Sequence, residues 1–170
     1  MALSSSPPAG SSEVVCYSHS EAETQRLGAM LAEVLAPGLT VALNGELGSG
    51  KTNLVRAVSA ALGHNPDQVN SPTFVIMQAY GDGRIPVYHF DTYRLSDIDE
   101  FSSIGADEFL NDPDVICFVE WAERVKELIP ADHLHVQIAQ TGTESREFTI
   151  RSTGARSEQL LTQLKELLQA

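Results

Sequence analysis

The sequence predicts an α/β domain of three layers, with a mixed parallel and antiparallel central sheet between helices. Three observations carry the prediction. Residues 45–52 read Gly-Glu-Leu-Gly-Ser-Gly-Lys-Thr, a full match to G-x-x-x-x-G-K-[ST], placed after the apolar run 39–43 and before an amphipathic segment. Val115 to Val119 is a short continuous apolar run closed by Glu120, the pattern of a strand buried on both faces at the sheet centre. Residues 74–80 and 85–90 flank Gly81-Asp82-Gly83 and read as a hairpin, so the sheet is not purely parallel.

The remaining elements follow in chain order. Val14 to Tyr17 suits a strand. Ser20 to Ala36 suits a helix, with Leu27, Met30, Leu31, Val34 and Leu35 on one face, Ser18 or Ser20 as the cap, and Pro37-Gly38 as the stop. After the loop, Leu54, Val55, Val58, Ala61 and Leu62 mark a second helical face that Gly63 ends. Leu95 to Leu110 reads as one or two short helices broken at Gly105, with its acids on a solvated face. Leu134 to Ala139 and Glu147 to Arg151 read as two strands around Thr141-Gly142-Thr143. The segment from Ala155 to Gln169 places Leu160, Leu161, Leu164, Leu167 and Leu168 on the face of a last helix.

Composition bounds the function. A chain of 170 residues, 42% hydrophobic, supports one substantial core, so residues 13–170 are expected as a single domain. Residues 1–12, rich in Ser, Pro and Gly, are expected as a disordered tail. No run is long and apolar enough for a membrane span and the start lacks a signal-peptide pattern, so the expected location is the cytoplasm. Cys16 and Cys117 read as buried, reduced thiols, and His133-x-His135 as alternating strand side chains rather than a zinc site. The net charge of −12 repels a nucleic-acid backbone, so autonomous RNA or DNA binding is not expected.

The loop defines the chemistry. Its backbone N–H groups would wrap phosphates, with Gly45, Gly48 and Gly50 allowing close approach around Glu46, Leu47 and Ser49. Lys51 supplies charge toward the β/γ-phosphates, and Thr52 is the natural hydroxyl ligand for Mg²⁺. Phosphoryl transfer also needs carboxylates, and two stand at the ends of apolar runs: Asp91 after Val87 to Phe90, and Glu120. Glu120 is the better metal carboxylate because its strand has the stronger buried signature. Asp91 then becomes the candidate for positioning or activating water.

With those residues on the page, the chain resembles the TsaE (YjeE) family. The loop, Ser71-Pro72-Thr73-Phe74, His89-Phe90-Asp91-Thr92-Tyr93-Arg94-Leu95 and Val119-Glu120-Trp121-Ala122-Glu123-Arg124 occur in that family's order and approximate spacing, over roughly residues 13 to 150. The resemblance implies a P-loop NTPase-like fold and a cytoplasmic, magnesium-dependent ATPase. It implies work with the TsaD and TsaB proteins in making threonylcarbamoyladenosine in tRNA, the RNA being held by partners. It gives Thr52 and Glu120 the magnesium roles, Asp91 a catalytic or metal-linked role, Thr73 a switch-like position near the terminal phosphate, and Trp121 a place close to the nucleotide. Glu46, Asn53 and Ala122 stand where the family usually has Asp, Thr and Pro.

Several readings stay open at this level. Trp121 could instead be a core or partner-facing aromatic, Ser71-Pro72-Thr73 an ordinary turn, and Arg94 the partner of a local acid. A small-molecule kinase would use the same loop, but the sequence offers no dense Arg cluster for a lid. A guanine-reading Asn-Lys-x-Asp stretch is absent. A binding module gated by nucleotide, with incidental hydrolysis, is the alternative outside the enzyme class.

Overall fold

The computed structural model describes residues 4–5 and 12–170, the side chains from residue 12 onward. The expected tail therefore lies largely outside the described residues, apart from Ser4–Ser5 and Ser12. The strands are β1 (Ser4–Ser5), β2 (Glu13–Ser18), β3 (Leu39–Asn44), β4 (Met77–Tyr80), β5 (Val87–Asp91), β6 (Ile116–Glu120), β7 (Leu134–Gln140) and β8 (Arg146–Ser152). The α-helices are α1 (Glu21–Val34), α2 (Lys51–Ala61), α3 (Ile98–Ser103), α4 (Ala106–Leu110) and α5 (Ala155–Gln169). The sheet order is β1-β2-β8-β7-β3-β6-β5-β4, mixed as expected. Strands β7, β3, β6 and β5 run parallel, while β4 and the β8-β2-β1 wing are antiparallel to their neighbours.

Alternation along the central strands builds two cores. Leu39, Val41 and Leu43 of β3 and Ile116 and Phe118 of β6 join Leu27 and Leu31 of α1, Leu54 and Val58 of α2, and Leu160, Leu161 and Leu164 of α5. Ala42, Cys117 and Val119 point the other way, into a cluster with Phe90, Phe101, Leu110 and Val125. Helices thus cover both faces of the parallel core, which is why β3 and β6 are buried along their whole length. Both cysteines are free and buried, and burial pushes each thiol up to about 12. Among the described residues no helix is long and apolar enough to cross a membrane.

Local signals account for the helix ends. The Ser20 hydroxyl accepts from the Glu23 N–H at 3.2 Å, satisfying one first-turn amide, while the Glu23 carboxylate reaches back to accept from the His19 N–H, just before the cap, at 2.7 Å. Gly105 breaks the acidic segment into α3 and α4 with φ 80°, as its position predicts.

One expected strand is shorter than its sequence suggests. Phe74 and Val75 have strand-forming side chains, yet residues 73–75 form a turn and β4 begins only at Met77. The Ile76 N–H donates to the Pro72 carbonyl at 2.7 Å, and Ile76 itself sits at φ 68°, a left-handed backbone that a β-branched residue rarely adopts. The regular ladder ends at Met77, opposite Phe90, and one further backbone bond, from the Asp91 N–H to the Ile76 carbonyl at 2.9 Å, spans the kink.

Candidate phosphate-binding and catalytic site

The site lies at the carboxyl ends of β3, β6 and β5, the edge of an open α/β sheet where ligands bind. Strand β3 delivers the loop, and α2 starts at Lys51 with Gly50 as its cap at φ 107°. The loop can sit against β7 only because residue 45 is glycine: a Cβ there would meet the Ile138 carbonyl oxygen at 2.5 Å and the Ser49 Oγ at 2.6 Å. A second brace comes from β8. Arg146 Nε donates to the Ser49 carbonyl at 2.8 Å, and its Nη1 donates to the carbonyls of Gly142, Thr143 and Ser145. The phosphate loop and the β7–β8 turn are thereby tied together.

Lys51 is buried above this loop. Its Nζ donates to the Gly45 and Glu46 carbonyls at 2.6 and 2.9 Å and stands 3.9 Å from the centre of the Trp121 ring. Burial pushes the ammonium below its ordinary value, against the upward pull of Glu120, Glu123 and Asp91. Trp121 reaches over it because its backbone turns into the left-handed region at φ 59°, where the Thr92 hydroxyl holds its carbonyl at 2.7 Å. Tyr93 packs on the same indole with ring centres 4.9 Å apart. Trp121 is therefore at the site rather than in the core.

The two carboxylates are brought side by side, since Asp91 and Glu120 are partners in the β5–β6 register. Glu120, 3% exposed, accepts from the Thr52 hydroxyl at 2.7 Å through Oε1. The same oxygen lies 2.7 Å from His89 Nε2. Asp91 Oδ2 accepts from the Ser71 hydroxyl at 2.5 Å and from the Thr73 hydroxyl at 2.9 Å, and its Oδ1 accepts from the Tyr93 N–H at 2.9 Å. Ser71-Pro72-Thr73 is thus more than a connecting turn: both hydroxyls are anchored on the candidate catalytic aspartate.

His89 is the residue that sequence reasoning left without a role. It is fully buried, with Nδ1 3.1 Å from the Tyr80 hydroxyl, and Tyr80 in turn donates to Gln78 Oε1 at 3.0 Å. A signal existed. Two-residue alternation along β5 puts His89 on the face of Asp91, so a polar side chain in an apolar strand was already aimed at the site.

Lys51, Thr52, Thr73, Asp91, Glu120 and Trp121 line one cavity of about 370 Å³. Glu46 flanks it through its carbonyl on Lys51, and Leu47, 76% exposed, stands at its rim. On the other side of Gly50 a second cavity of about 550 Å³ runs between α1, α2 and the β7–β8 turn, lined by Thr24, Asn53, Arg56, Ala57, Thr143 and Phe148.

A glycine-rich loop with a buried lysine, a hydroxyl joined to a strand-end carboxylate and a second carboxylate beside it make this a P-loop protein of the nucleoside-triphosphatase type. The family described as "Threonylcarbamoyl adenosine biosynthesis protein TsaE" matches residues 18–148. The chain belongs to the TsaE family. It is 38% identical to the tRNA threonylcarbamoyladenosine biosynthesis protein TsaE of Bacillus subtilis, over 84% of this chain and 87% of that one. To the protein of the same name from Streptomyces coelicolor it is 39% identical, over 78% and 92% of the two chains. The crystal structure of Bacillus subtilis YdiB superposes with a TM-score of 0.76 at 30% identity, covering 91% of this chain and 95% of that chain.

Proposed function

We propose that this protein is a magnesium-dependent ATPase that supports formation of N6-threonylcarbamoyladenosine in tRNA together with TsaD and TsaB. The observation that carries the ATPase reading is the 2.7 Å contact between Thr52 and Glu120, which joins the start of α2 to the end of β6. The residues present fit both ligands. Gly45 leaves room that a Cβ would fill, Lys51 brings a charge already paid for in desolvation, and the larger cavity beside Gly50 has a size suited to a nucleoside. No group of three or more His, Cys, Asp or Glu side chains in the described residues could hold a metal alone. Mg²⁺ is usually held by one or two protein oxygens and by substrate phosphates, and the Thr52 hydroxyl and Glu120 carboxylate offer such a pair.

In this reading Thr52 and Glu120 would hold Mg²⁺, which would supply charge neutralisation for the phosphates. The loop amides and Lys51 bind and orient the phosphates. Asp91 accepts a proton from, or orients, the attacking water, and Thr73 stands ready to leave Asp91 for a phosphate oxygen. Trp121 and Tyr93 keep bulk water from Lys51. The acidic surface leaves RNA contact to partners, and the expected location is the cytoplasm.

A second reading has its own support. Leu47, Phe74 and Val75 are 76, 80 and 64% exposed, an apolar rim suited to a partner whose docking ATP would gate. Steady-state hydrolysis by the protein alone, and with a TsaB–TsaD pair and unmodified tRNA, separates the readings, with Lys51→Ala as the blank. Weak turnover that the partners stimulate supports the ATPase role. Hydrolysis indifferent to them favours the gated module or a kinase.

A further inference from the structure

We propose that Arg94 is a second phosphate-contacting cation, one that reads the terminal phosphate and so separates a nucleoside triphosphate from a diphosphate. The assignment rests on the ATP reading above.

Arg94 lies three residues beyond Asp91, in the turn that follows β5, and lines the cavity that holds Lys51, Thr52, Asp91 and Glu120. Its guanidinium is not in an ion pair with any carboxylate among the described residues. It stacks instead on the Phe74 ring, 4.1 Å from the centroid. Phe74 is itself on the exposed rim, so Arg94 is held at the cavity by a contact that a phosphate oxygen can displace: an exposed cation–π contact is weak beside a charge-assisted hydrogen bond.

Charge accounting in the cavity points the same way. Asp91 and Glu120 place two carboxylates beside the loop, and Lys51 directs hydrogen bonds to two loop carbonyls. Mg²⁺ held by Thr52 and Glu120 would offset those acids on the loop side, and on the side away from the loop the other Lys or Arg side chain lining the cavity among the described residues is Arg94. The two cations also sit on different elements. Lys51 opens α2 at the loop, whereas Arg94 shares its segment with Asp91 and contacts Phe74 beside Thr73. Contact with the last phosphate would therefore act on the Asp91–Thr73 side of the site.

The test is equilibrium binding of a non-hydrolysable ATP analogue and of ADP, both with Mg²⁺, to wild type, Arg94→Ala, Arg94→Lys and Lys51→Ala. Arg94→Ala is expected to weaken the analogue on the order of 10-fold or more, the scale of one charge-assisted hydrogen bond, and to change ADP by less than about twofold. Arg94→Lys should fall between, because its charge persists without the planar fork. Equal loss for both nucleotides, or for neither, overturns the assignment. Wild type that binds neither nucleotide overturns the ATP reading and this assignment with it. Wild type that binds both, with Lys51→Ala binding neither, keeps the ATP reading intact whatever Arg94 does.

Discussion

Replacing His89 by Ala should cost this protein much of its stability, although the residue touches no solvent. The imidazole lies 2.7 Å from the Glu120 carboxylate and 3.1 Å from the Tyr80 hydroxyl, and it is fully buried. A hydrogen bond to a charged group is worth roughly 1.5–3 kcal/mol, and truncating a buried ring leaves a cavity worth roughly 3–5 kcal/mol on its own. The two losses overlap at one site, so about 3–5 kcal/mol is the expected total, against about 5–15 kcal/mol for a whole domain. For a chain of this size each kcal/mol moves Tm by about 2–4 °C, which gives a fall of about 6–20 °C. Urea unfolding followed by far-ultraviolet circular dichroism reads the free energy directly. His89→Gln keeps a donor toward Glu120 and should recover about half of the loss. A His89→Ala cost under about 1 kcal/mol would mean that Glu120 does not depend on its histidine, and would refute the account of a supported buried carboxylate.

Glu120→Gln preserves shape while removing the charge beside Thr52, so ATP turnover should fall on the order of 10²-fold or more; normal turnover with normal magnesium dependence would remove Glu120 from the metal. Asp91→Asn should reduce hydrolysis far more than nucleotide binding, read by turnover against analogue affinity, and equal losses would make Asp91 a direct metal ligand or a purely structural residue. His135 provides a pH test. Burial, then His133 and Arg151, hold its folded pKa below 6.5, so above 6.5 both states are neutral there and its contribution is nil. As pH falls below 6.5 the unfolded chain takes up the proton first and the fold loses stability until the folded pKa is passed. The drop in urea midpoint from pH 7.5 to 5.5 should therefore be smaller in His135→Gln than in wild type.

The parts of this molecule that were legible beforehand are those with local causes. Ser20 capping α1, Gly105 dividing α3 from α4, and the uninterrupted apolar run of β6 are each decided within a few residues. The loop was equally plain, because a strand, its glycines and the following helix are contiguous. What escaped depended on distant partners. Phe74 and Val75 carry strand propensity, but the hydroxyls of Ser71 and Thr73 are drawn to Asp91, a residue on another strand, and the chain turns instead. Arg146 bracing Ser49 and His89 supporting Glu120 join residues far apart in sequence, which no window of neighbours can show. Arg94 met an aromatic ring where sequence reasoning had offered it an acid.

The pairing of β2 with β8 bears on how this chain folds. Glu13 lies opposite Arg151 and Ser18 opposite Arg146, so the first long strand finds its long ladder partner only near the end of the sequence. A chain made from its N-terminus presents β2 long before β8 exists, and loop closure over that span is slow. Until then one flank of the sheet is an unpaired edge, open to contacts with other chains. Strand β8 also begins with Arg146, the brace on the phosphate loop, so closing the sheet and finishing the loop happen in one late event. A chain cut short before residue 146 would lack both, and would expose an edge rather than leave a smaller working enzyme.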